Sequence, residues 1–398
     1  MKEKQYLMAE EAAERLGVSR ATLYAYVSRG LVRSEPAAKG SRRHRYRAED
    51  VRRLQRRKEQ RLDPEAAAQD ALHFGAPVLE SAITLIDDGR LYYRGRDVLG
   101  LAQERSAEEV AGLIWTGNLD AGPLTQVERP PVPHVARPDL SVVERFQVVL
   151  PLAAAGDLAA FDLRSPAVVS AAGRILWLLV QAAGSGEGMA GDGLVEVLRH
   201  SWSLPDDAVP LLNAALILCA DHELNVSSFT ARCVASAGGT PYGVVQAGLA
   251  ALRGSRHGGH TERVEALLRE VGEPEQAPTA LAARLQRGEP VPGFGHRLYP
   301  DGDPRGRLLL EMARGRRPRS PAVALATAVA AAAKDLLGQR PTVDFGLVAA
   351  AGALGLPSGS ALALFAIGRT IGWIGHALEQ IEAGTMIRPR ARYVGRLP

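Results

Sequence analysis

The segment from Val291 to Arg305 restricts the fold of this 398-residue chain more than any other stretch. Three prolines and three glycines among its fifteen residues exclude an uninterrupted helix or a central strand. A loop of this composition leaves backbone amides free to meet a ligand, while His296 and Arg305 project from fixed turns. The segment therefore predicts a binding site, although an ordinary surface loop with an incidental histidine fits the same pattern.

Five other segments carry residues of related chemistry. They are Ala220–Arg232 with His222, Gly254–Gly259 with His257, Pro341–Phe345 with Asp344, Gly368–Trp373 with Arg369, and Arg388–Arg390 near the C-terminus. In order and spacing, over residues from about 78 onward, these segments and the loop resemble the substrate-histidine, catalytic-aspartate and arginine motifs of the citrate synthase family. The chain departs from the family after Gly258-Gly259, where it has His260-Thr261 and the family more often has Ala-Asn.

The resemblance implies a mainly α, citrate synthase-like helical fold of two domains. Residues 78–237 and 344–398 are expected to form the large domain and residues 238–343 the small domain, with a candidate hinge at Gly238-Gly239. Helical periodicity independently predicts helices at Ala107–Thr116, Leu140–Ala153, Ala167–Ala182 and Ala208–Cys219. Before them, the turn signal Asp87-Asp88-Gly89 predicts a small β-hairpin.

The resemblance also implies an activity, the condensation of acetyl-CoA with oxaloacetate to give citrate and CoA, carried out by a homodimer. It requires no cofactor, because acetyl-CoA is a substrate. By position, the resemblance assigns catalysis to His257, His296 and Asp344, substrate binding to His222, Arg305, Arg369 and an Arg388 shared across the dimer, and CoA binding to Val291, Gly293, Phe294 and Gly295.

These residue types suit the chemistry. Joining an acetyl thioester to a keto acid needs a base, a hydrogen-bond donor to the forming enolate oxygen, and a donor to the ketone. Partial burial would raise the pKa of Asp344 toward the range in which a carboxylate abstracts protons efficiently. The positive end of the helix starting near Thr261 would keep His257 neutral. Arginine forks bind carboxylates through two hydrogen bonds, which suits a dianionic keto acid.

Other interpretations stay open at this point. Asp344 could be a helix N-cap, and His257 with His260 could bind a metal, although no third ligand stands at a matching spacing. The body could sense a keto acid or an acyl-CoA without turnover, as part of a transcriptional regulator. Propionyl-CoA, which would give 2-methylcitrate, differs from acetyl-CoA by one methylene, worth only about 1–3 kcal/mol of discrimination.

The N-terminal part of the chain is a separate basic module. Residues 1–62 carry 17 Lys+Arg and 8 Asp+Glu, whereas the remaining residues carry 31 and 36, so a net charge of +9 precedes one of −5. Two short helices, Ala9–Leu16 and Arg20–Arg29 with Ser19 as N-cap, are joined by the turn Gly17-Val18. This pattern predicts a helix-turn-helix.

Residues 5–58 resemble the winged helix-turn-helix of the MerR and excisionase families. The resemblance implies a DNA-binding domain over residues 1–61, followed by a linker over residues 62–77. The implied DNA contacts are Arg20, Thr22 and Tyr24 on the second helix and Arg42, Arg43 and Arg45 in the wing. A dimer would suit palindromic DNA, while a three-helix protein-interaction module with a solvated basic face is the alternative.

Composition limits the remaining possibilities. The most apolar run, Ala322–Ala333, is too short to span a bilayer, so we expect no membrane partner and a cytoplasmic location. Cys219 and Cys233 lie in apolar helical patterns, which makes a disulfide framework improbable. No phosphate-binding loop or dinucleotide fingerprint occurs, so nucleotide hydrolysis and hydride transfer have no support.

Overall fold

The structure is a computed structural model of one chain, which divides into two compact units, Met1–Glu80 and Ser81–Pro398. The residues that it describes are 6–37, 43–52, 54–55, 78–137, 139–184 and 193–396. The predicted linker, residues 62–77, lies outside them.

A helix-turn-helix occupies the N-terminal unit. Helix α1 (Ala9–Leu16) ends where Gly17 adopts a left-handed φ of 59°, a conformation that glycine accepts without strain. Helix α2 (Arg20–Ser28) begins after Ser19, whose hydroxyl accepts the backbone N–H of Thr22. The predicted helices are thus confirmed, with α2 one residue shorter than predicted.

Three short antiparallel strands complete this unit. Strands β1 (Tyr6–Met8), β2 (Ser34–Pro36) and β3 (His44–Arg47) pair in the order β1-β3-β2. β2 and β3 correspond to the predicted wing, and the connecting residues 38–42 fall outside the described part of the chain. Residues 48–52 are helical and close a small core that includes Leu7, Leu16, Leu23, Tyr46 and Val51.

The body opens with the predicted hairpin, β4 (Thr84–Asp87) and β5 (Arg90–Tyr93), which pair in antiparallel register. Asp88 and Gly89 form its turn with φ of 51° and 73°. Positive φ at both central residues matches the right-handed twist of the strands, which is why Asp-Gly favours such turns. A third short strand, β6 (Arg96–Asp97), pairs with β5.

The rest of the body consists mainly of α-helices, as predicted. In chain order they are α3 (Val98–Glu104), α4 (Ala107–Thr116), α5 (Gly122–Thr125), α6 (Val142–Gly156), α7 (Ser165–Ala183), α8 (Leu194–Ser201), α9 (Val209–Cys219), α10 (Val226–Ser236), α11 (Pro241–Leu252), α12 (His260–Val271), α13 (Ala277–Gln286), α14 (Pro304–Arg316), α15 (Pro321–Leu337), α16 (Val343–Ala353) and α17 (Ser360–Ala383). Single 3-10 turns occur at Leu158–Phe161, Asp206–Ala208 and Pro274–Gln276. Helix α4 has its predicted ends, because Ser106 and Glu109 form a capping box at its start and Gly117 follows it with a left-handed φ of 85°.

Helix α17 runs through the centre of the body and packs on α4, α7, α9, α10, α11 and α16. A Cβ at Gly372 would lie 2.2 Å from the carbonyl oxygen of Ala220, so glycine alone permits this approach. In the same segment, the Tyr93 hydroxyl accepts the backbone N–H of Asp221 at 3.0 Å. The hairpin and α17 therefore both fix the chain beside His222.

Two helices, α7 and α17, have the length and apolar composition of membrane-crossing helices. However, 72% and 100% of their apolar windows are buried inside the protein. Both helices thus contribute to the core. The division of the body into residues 78–237 with 344–398 and residues 238–343 stays a prediction.

Candidate active site

The predicted site residues come from five separate parts of the body. His222 follows α9, His257 lies in the turn between α11 and α12, His296 and Arg305 belong to the proline- and glycine-rich loop and the start of α14, Asp344 is the second residue of α16, and Arg369 lies within α17. Their charges act on one another: the pKa of His222 is held well below its usual range, first by burial and then by Arg305, His296, Arg369 and His257. The fold therefore brings these residues together.

His222 and His296 face each other beside a tyrosine. Their ring centroids lie 5.3 Å apart, and the Tyr299 hydroxyl is 3.0 Å from Nε2 of His222. The backbone N–H of Leu298 donates to Nδ1 of His296 at 3.2 Å. Burial, followed by Arg305, lowers the pKa of His296 and so favours the neutral ring. A neutral ring with an occupied Nδ1 acceptor carries its proton on Nε2, which is then a hydrogen-bond donor.

Arg305 is fixed by the carboxylate two residues before it. Nε and Nη2 of Arg305 donate to the two oxygens of Asp303 at 3.0 and 2.8 Å, and both side chains are buried. Asp303 also accepts the backbone N–H of Val343 at 3.0 Å. Burial alone would lower the pKa of Arg305. The negative charge of Asp303 stabilises the guanidinium, so Arg305 stays charged and its pKa is raised.

Arg369 is a second buried guanidinium. Its Nε donates to the carbonyl oxygen of Cys219 at 2.7 Å, and its guanidinium carbon lies 5.0 Å from the centroid of the Phe365 ring. Burial lowers the pKa of Arg369, while Asp221 opposes that effect. Arg305 and Arg369 together place positive charge where a dianion could bind.

His257 is a buried, neutral imidazole. Burial, followed by the charge of Arg369, lowers its pKa to about 3. Its Nε2 lies 2.8 Å from the hydroxyl oxygen of Ser227, which also accepts Nε1–H of Trp373 at 3.0 Å. Burial is thus the largest cause of the expected neutral state, and the helix whose dipole was expected to contribute begins at His260.

Asp344 has the perturbed carboxyl group of the site. Burial raises its pKa to about 6, with Arg305 lowering it and Asp303 raising it in smaller measure. Its Oδ2 lies 3.4 Å from the Thr342 hydroxyl, and Thr342 rather than Asp344 occupies the N-cap of α16. The N-cap interpretation of Asp344 is therefore wrong. A carboxyl group with a pKa near neutrality is suited to act as a base.

The prediction that the loop offers free amides is wrong at two positions. The backbone N–H of Gly293 donates to Nε2 of His260 at 3.0 Å, and that of Gly295 donates to the carbonyl oxygen of Arg340 at 3.0 Å. A buried backbone N–H without a hydrogen-bond acceptor is costly, so these two amides donate to neighbouring protein groups rather than stay free for a ligand. Val291 and Phe294 are buried, at 9% and 8% exposure. CoA binding by these four loop residues stays a prediction.

His260 is thus occupied as an acceptor, which removes the reason for pairing it with His257 around a metal. Within residues 6–396, where described, no group of three or more His, Cys, Asp or Glu side chains is placed to hold a metal ion.

Arg388 follows α17. It is exposed in residues 385–396, which form no helix or strand. Its role across a dimer stays a prediction.

Four contributing residues had no predicted role, namely Ser227, Tyr299, Asp303 and Trp373. Tyr299 and Asp303 stand in the same loop as His296, so their proximity along the chain was a usable signal. Ser227 and Trp373 meet only through the packing of α10 against α17, which no local pattern shows.

In the N-terminal unit, two of the predicted DNA-contacting arginines are paired with carboxylates. Arg20 forms an ion pair with Glu10. Arg45 forms one with Glu35 at 2.7 Å and lies over the Tyr6 ring at 4.2 Å. Their charges are thus partly neutralised before any phosphate arrives.

The other predicted DNA contacts differ in exposure. Tyr24 is 53% exposed, and Arg43 is exposed as well. The Thr22 hydroxyl lies 2.9 Å from that of Ser19, and Arg42 lies outside the described residues. All six assignments stay predictions.

Comparison with known proteins agrees with this arrangement. Residues 73–147 and 168–390 match the family model for the citrate synthase C-terminal domain, and residues 6–59 match that of a helix-turn-helix domain. The chain is 31% identical over 355 residues to citrate synthase 2 of Bacillus subtilis, covering 81% of this chain and 94% of that protein. It is also 31% identical over 381 residues to the citrate synthase of Haloferax volcanii, with the same coverage of both chains.

Solved structures share the fold of the body. The citrate synthase of Thermotoga maritima has a TM-score of 0.69 at 25% identity, covering 81% of this chain and 95% of that one. The citrate synthase of Thermoplasma acidophilum, solved in a ternary complex with carboxymethyl coenzyme A and oxaloacetate, has a TM-score of 0.70 at 24% identity and covers the same shares of the two chains.

Proposed function

The chain belongs to the citrate synthase family, and we propose that the buried histidines, arginines and aspartate described above carry out the family's reaction. The protein condenses acetyl-CoA with oxaloacetate to give citrate and CoA. One observation carries the assignment to this site: two buried guanidinium groups, three imidazoles held toward the neutral state and a carboxyl group of pKa about 6 converge there. The Thermoplasma relative, solved with oxaloacetate and a CoA derivative, supports the choice of substrates.

Oxaloacetate binds through the negative charges of its two carboxylates. Arg305 and Arg369 bind its carboxylates, and His222 adds a hydrogen bond. Nε2–H of His296 donates to the ketone oxygen, which makes the ketone carbon more electrophilic. Because Asp303 and the Cys219 carbonyl already fix the two guanidinium groups, little side-chain entropy is lost when the keto acid binds.

The acetyl group is then activated by two residues. The Asp344 carboxylate takes a proton from the methyl carbon, and His257 donates a hydrogen bond to the thioester carbonyl oxygen as it gains negative charge. This donor role requires a proton on Nδ1 of His257, which holds when the Ser227 hydroxyl donates to Nε2 of His257 rather than to its other acceptor, Oδ1 of Asn225 at 2.8 Å.

Carbon–carbon bond formation follows. The enolate carbon attacks the ketone carbon, and the ketone oxygen takes the proton that His296 shares with it, which gives citryl-CoA. Water then attacks the thioester carbonyl carbon: one water proton restores His296, and the hydroxyl forms the new carboxyl group, which releases its proton to solvent. The departing thiolate takes the proton held by Asp344, so citrate and CoA leave and both residues regain their starting protonation states.

The assay that tests this function is the release of free CoA thiol from acetyl-CoA in the presence of oxaloacetate. Asp344→Ala should lower kcat by roughly 10²–10⁴-fold with smaller effects on KM. Propionyl-CoA in place of acetyl-CoA measures the acyl preference. If the unaltered protein releases CoA from neither thioester with any of several keto acids, the body is a sensor rather than an enzyme.

The active form proposed here is a homodimer in which Arg388 of each chain completes the other chain's site. Support comes from the exposure of Arg388 and from the dianionic substrate, for which a third guanidinium adds charge. We also propose a cytoplasmic location, supported by Cys219 and Cys233, both of which are free thiols.

The N-terminal unit is proposed to bind DNA. Its helix-turn-helix match and its net charge of +9 support this, with α2 as the helix that enters the major groove. A dimer would carry two such units, which suits a palindromic duplex.

A further inference from the structure

His260, the first residue of α12, connects two parts of the site. Its backbone N–H donates to the carbonyl oxygen of His257 at 2.9 Å. Its side chain reaches the loop, where Nε2 accepts the backbone N–H of Gly293 at 3.0 Å. The turn that carries His257 is therefore bonded to the loop through one imidazole.

Gly293 continues this connection to the third part of the site. Its φ of 89° suits glycine, and a Cβ there would lie 2.8 Å from Val264 and 3.1 Å from Phe345. Its carbonyl oxygen accepts the backbone N–H of Thr342 at 2.8 Å. Since Thr342 is the N-cap of α16, a continuous path of hydrogen bonds joins His257 to the helix that carries Asp344.

We propose that His260 is a positioning residue that sets the spacing between His257 and Asp344 by holding Gly293. The inference rests on the roles proposed above for these two residues. His257 and Asp344 act on adjacent carbons of one acetyl group, so a shift of about 1 Å between them would cost a large part of the rate.

The lowered pKa of the imidazole and the identity of the side chain explain how His260 can hold Gly293. Burial, followed by the charge of Arg263, lowers the pKa of His260, which preserves Nε2 as an acceptor. The alanine that the family more often has here offers no acceptor. The bridge to Gly293 thus depends on a histidine at this position.

Two substitutions test the proposal. His260→Phe fills a similar space without an acceptor, whereas His260→Gln keeps one. His260→Phe should lower kcat about 3–10-fold, the effect of one lost hydrogen bond, with KM for oxaloacetate unchanged. His260→Gln should recover most of the loss, and His134→Phe, which alters an exposed histidine, should have no effect.

The kinetic isotope effect with acetyl-CoA deuterated in the methyl group distinguishes positioning from a general structural defect. Misplacement of Asp344 slows proton abstraction, so the isotope effect on kcat should increase in His260→Phe. A lower kcat with an unchanged isotope effect, or equal losses in the Phe and Gln variants, would overturn the proposal.

Measurements without turnover keep the inference separate from the activity. Amide exchange in the peptide that contains Gly293 should be faster in His260→Phe than in His260→Gln. In the unaltered protein, ¹⁵N-histidine spectra at pH 7 should show Nε2 of His260 without a proton. A protonated Nε2 excludes the bond to Gly293 and overturns the proposal, even where the Phe variant does not fold.

Discussion

Asp303 holds the guanidinium of Arg305 through two hydrogen bonds, at 3.0 and 2.8 Å, and at the same time accepts the first backbone N–H of α16 at 3.0 Å. One buried carboxylate thus fixes a substrate-binding arginine and the start of the helix that carries Asp344. An arginine fixed in this way needs no further ordering when substrate binds. Asp303 also raises the pKa of Asp344 through the repulsion of like charges.

Asp303→Asn should therefore change both substrate binding and the pH dependence. The amide keeps the size of the side chain but removes its charge, so we expect a KM for oxaloacetate about 10-fold higher, the cost of breaking a buried charged pair in part. The acid limb of kcat/KM should move to lower pH. Asp301→Asn, in the exposed part of the same loop, is the control. If the KM for oxaloacetate and the pH profile are the same in the two variants, Asp303 does not contribute to the site.

The pH dependence of the unaltered protein should report Asp344. Its pKa of about 6 means that the carboxylate form, which abstracts the proton, is lost as pH falls through 6. His257, with a pKa of about 3, stays neutral across this range. We expect kcat/KM to fall tenfold per pH unit below about 6. An acid limb near pH 4 would mean that burial does not perturb Asp344 in this way.

Asp344→Asn should make the protein more stable at neutral pH. The pKa of this carboxyl group rises from 3.8 to about 6 on folding, so the ionised form is disfavoured in the native state by about 3 kcal/mol. This cost is absent below pH 3.8 and complete above pH 6. Urea unfolding at pH 8 and pH 4 should show a stability gain for the variant at pH 8 that shrinks at pH 4. A variant less stable at both would contradict the sign.

The sequence predicted what depends on local pattern. Capping residues placed the ends of α1, α2 and α4, and Asp88-Gly89 placed the hairpin turn. Distant pairings were beyond it: whether the Gly293 amide is free depends on His260, which lies 33 residues away. The burial of His257, the largest cause of its neutral state, was also not predicted, because burial is a property of the packed core rather than of a short segment.

Arg388 provides a test of the proposed dimer. An Arg388→Ala chain and an Asp344→Ala chain should each be inactive alone, since each lacks one group of the shared site. A mixed dimer contains one site with both groups intact and should regain part of the activity. Sequential affinity purification of two differently tagged chains establishes that mixed dimers form. Activity that stays at the level of the separate variants would place Arg388 in its own chain's site or in none.

Glu35 should limit DNA binding by the wing. It lies 2.7 Å from the guanidinium of Arg45, so a phosphate must compete with a carboxylate that is already in place. Glu35→Gln removes that competitor, and we expect tighter binding to duplex DNA. The slope of log K against log salt concentration should become steeper by about 0.9, the value for one additional phosphate contact. Binding isotherms at several salt concentrations measure both quantities.

The control for this experiment is Glu14→Gln, which removes an equal charge from the exposed face of α1. If net charge alone governs binding, the two variants gain affinity equally. If Arg45 contacts phosphate, Glu35→Gln gains more, and adding Arg45→Ala abolishes the excess because the contact itself is lost. An Arg45→Ala change that leaves the isotherm of the Glu35→Gln variant unaltered would remove this arginine from the interface.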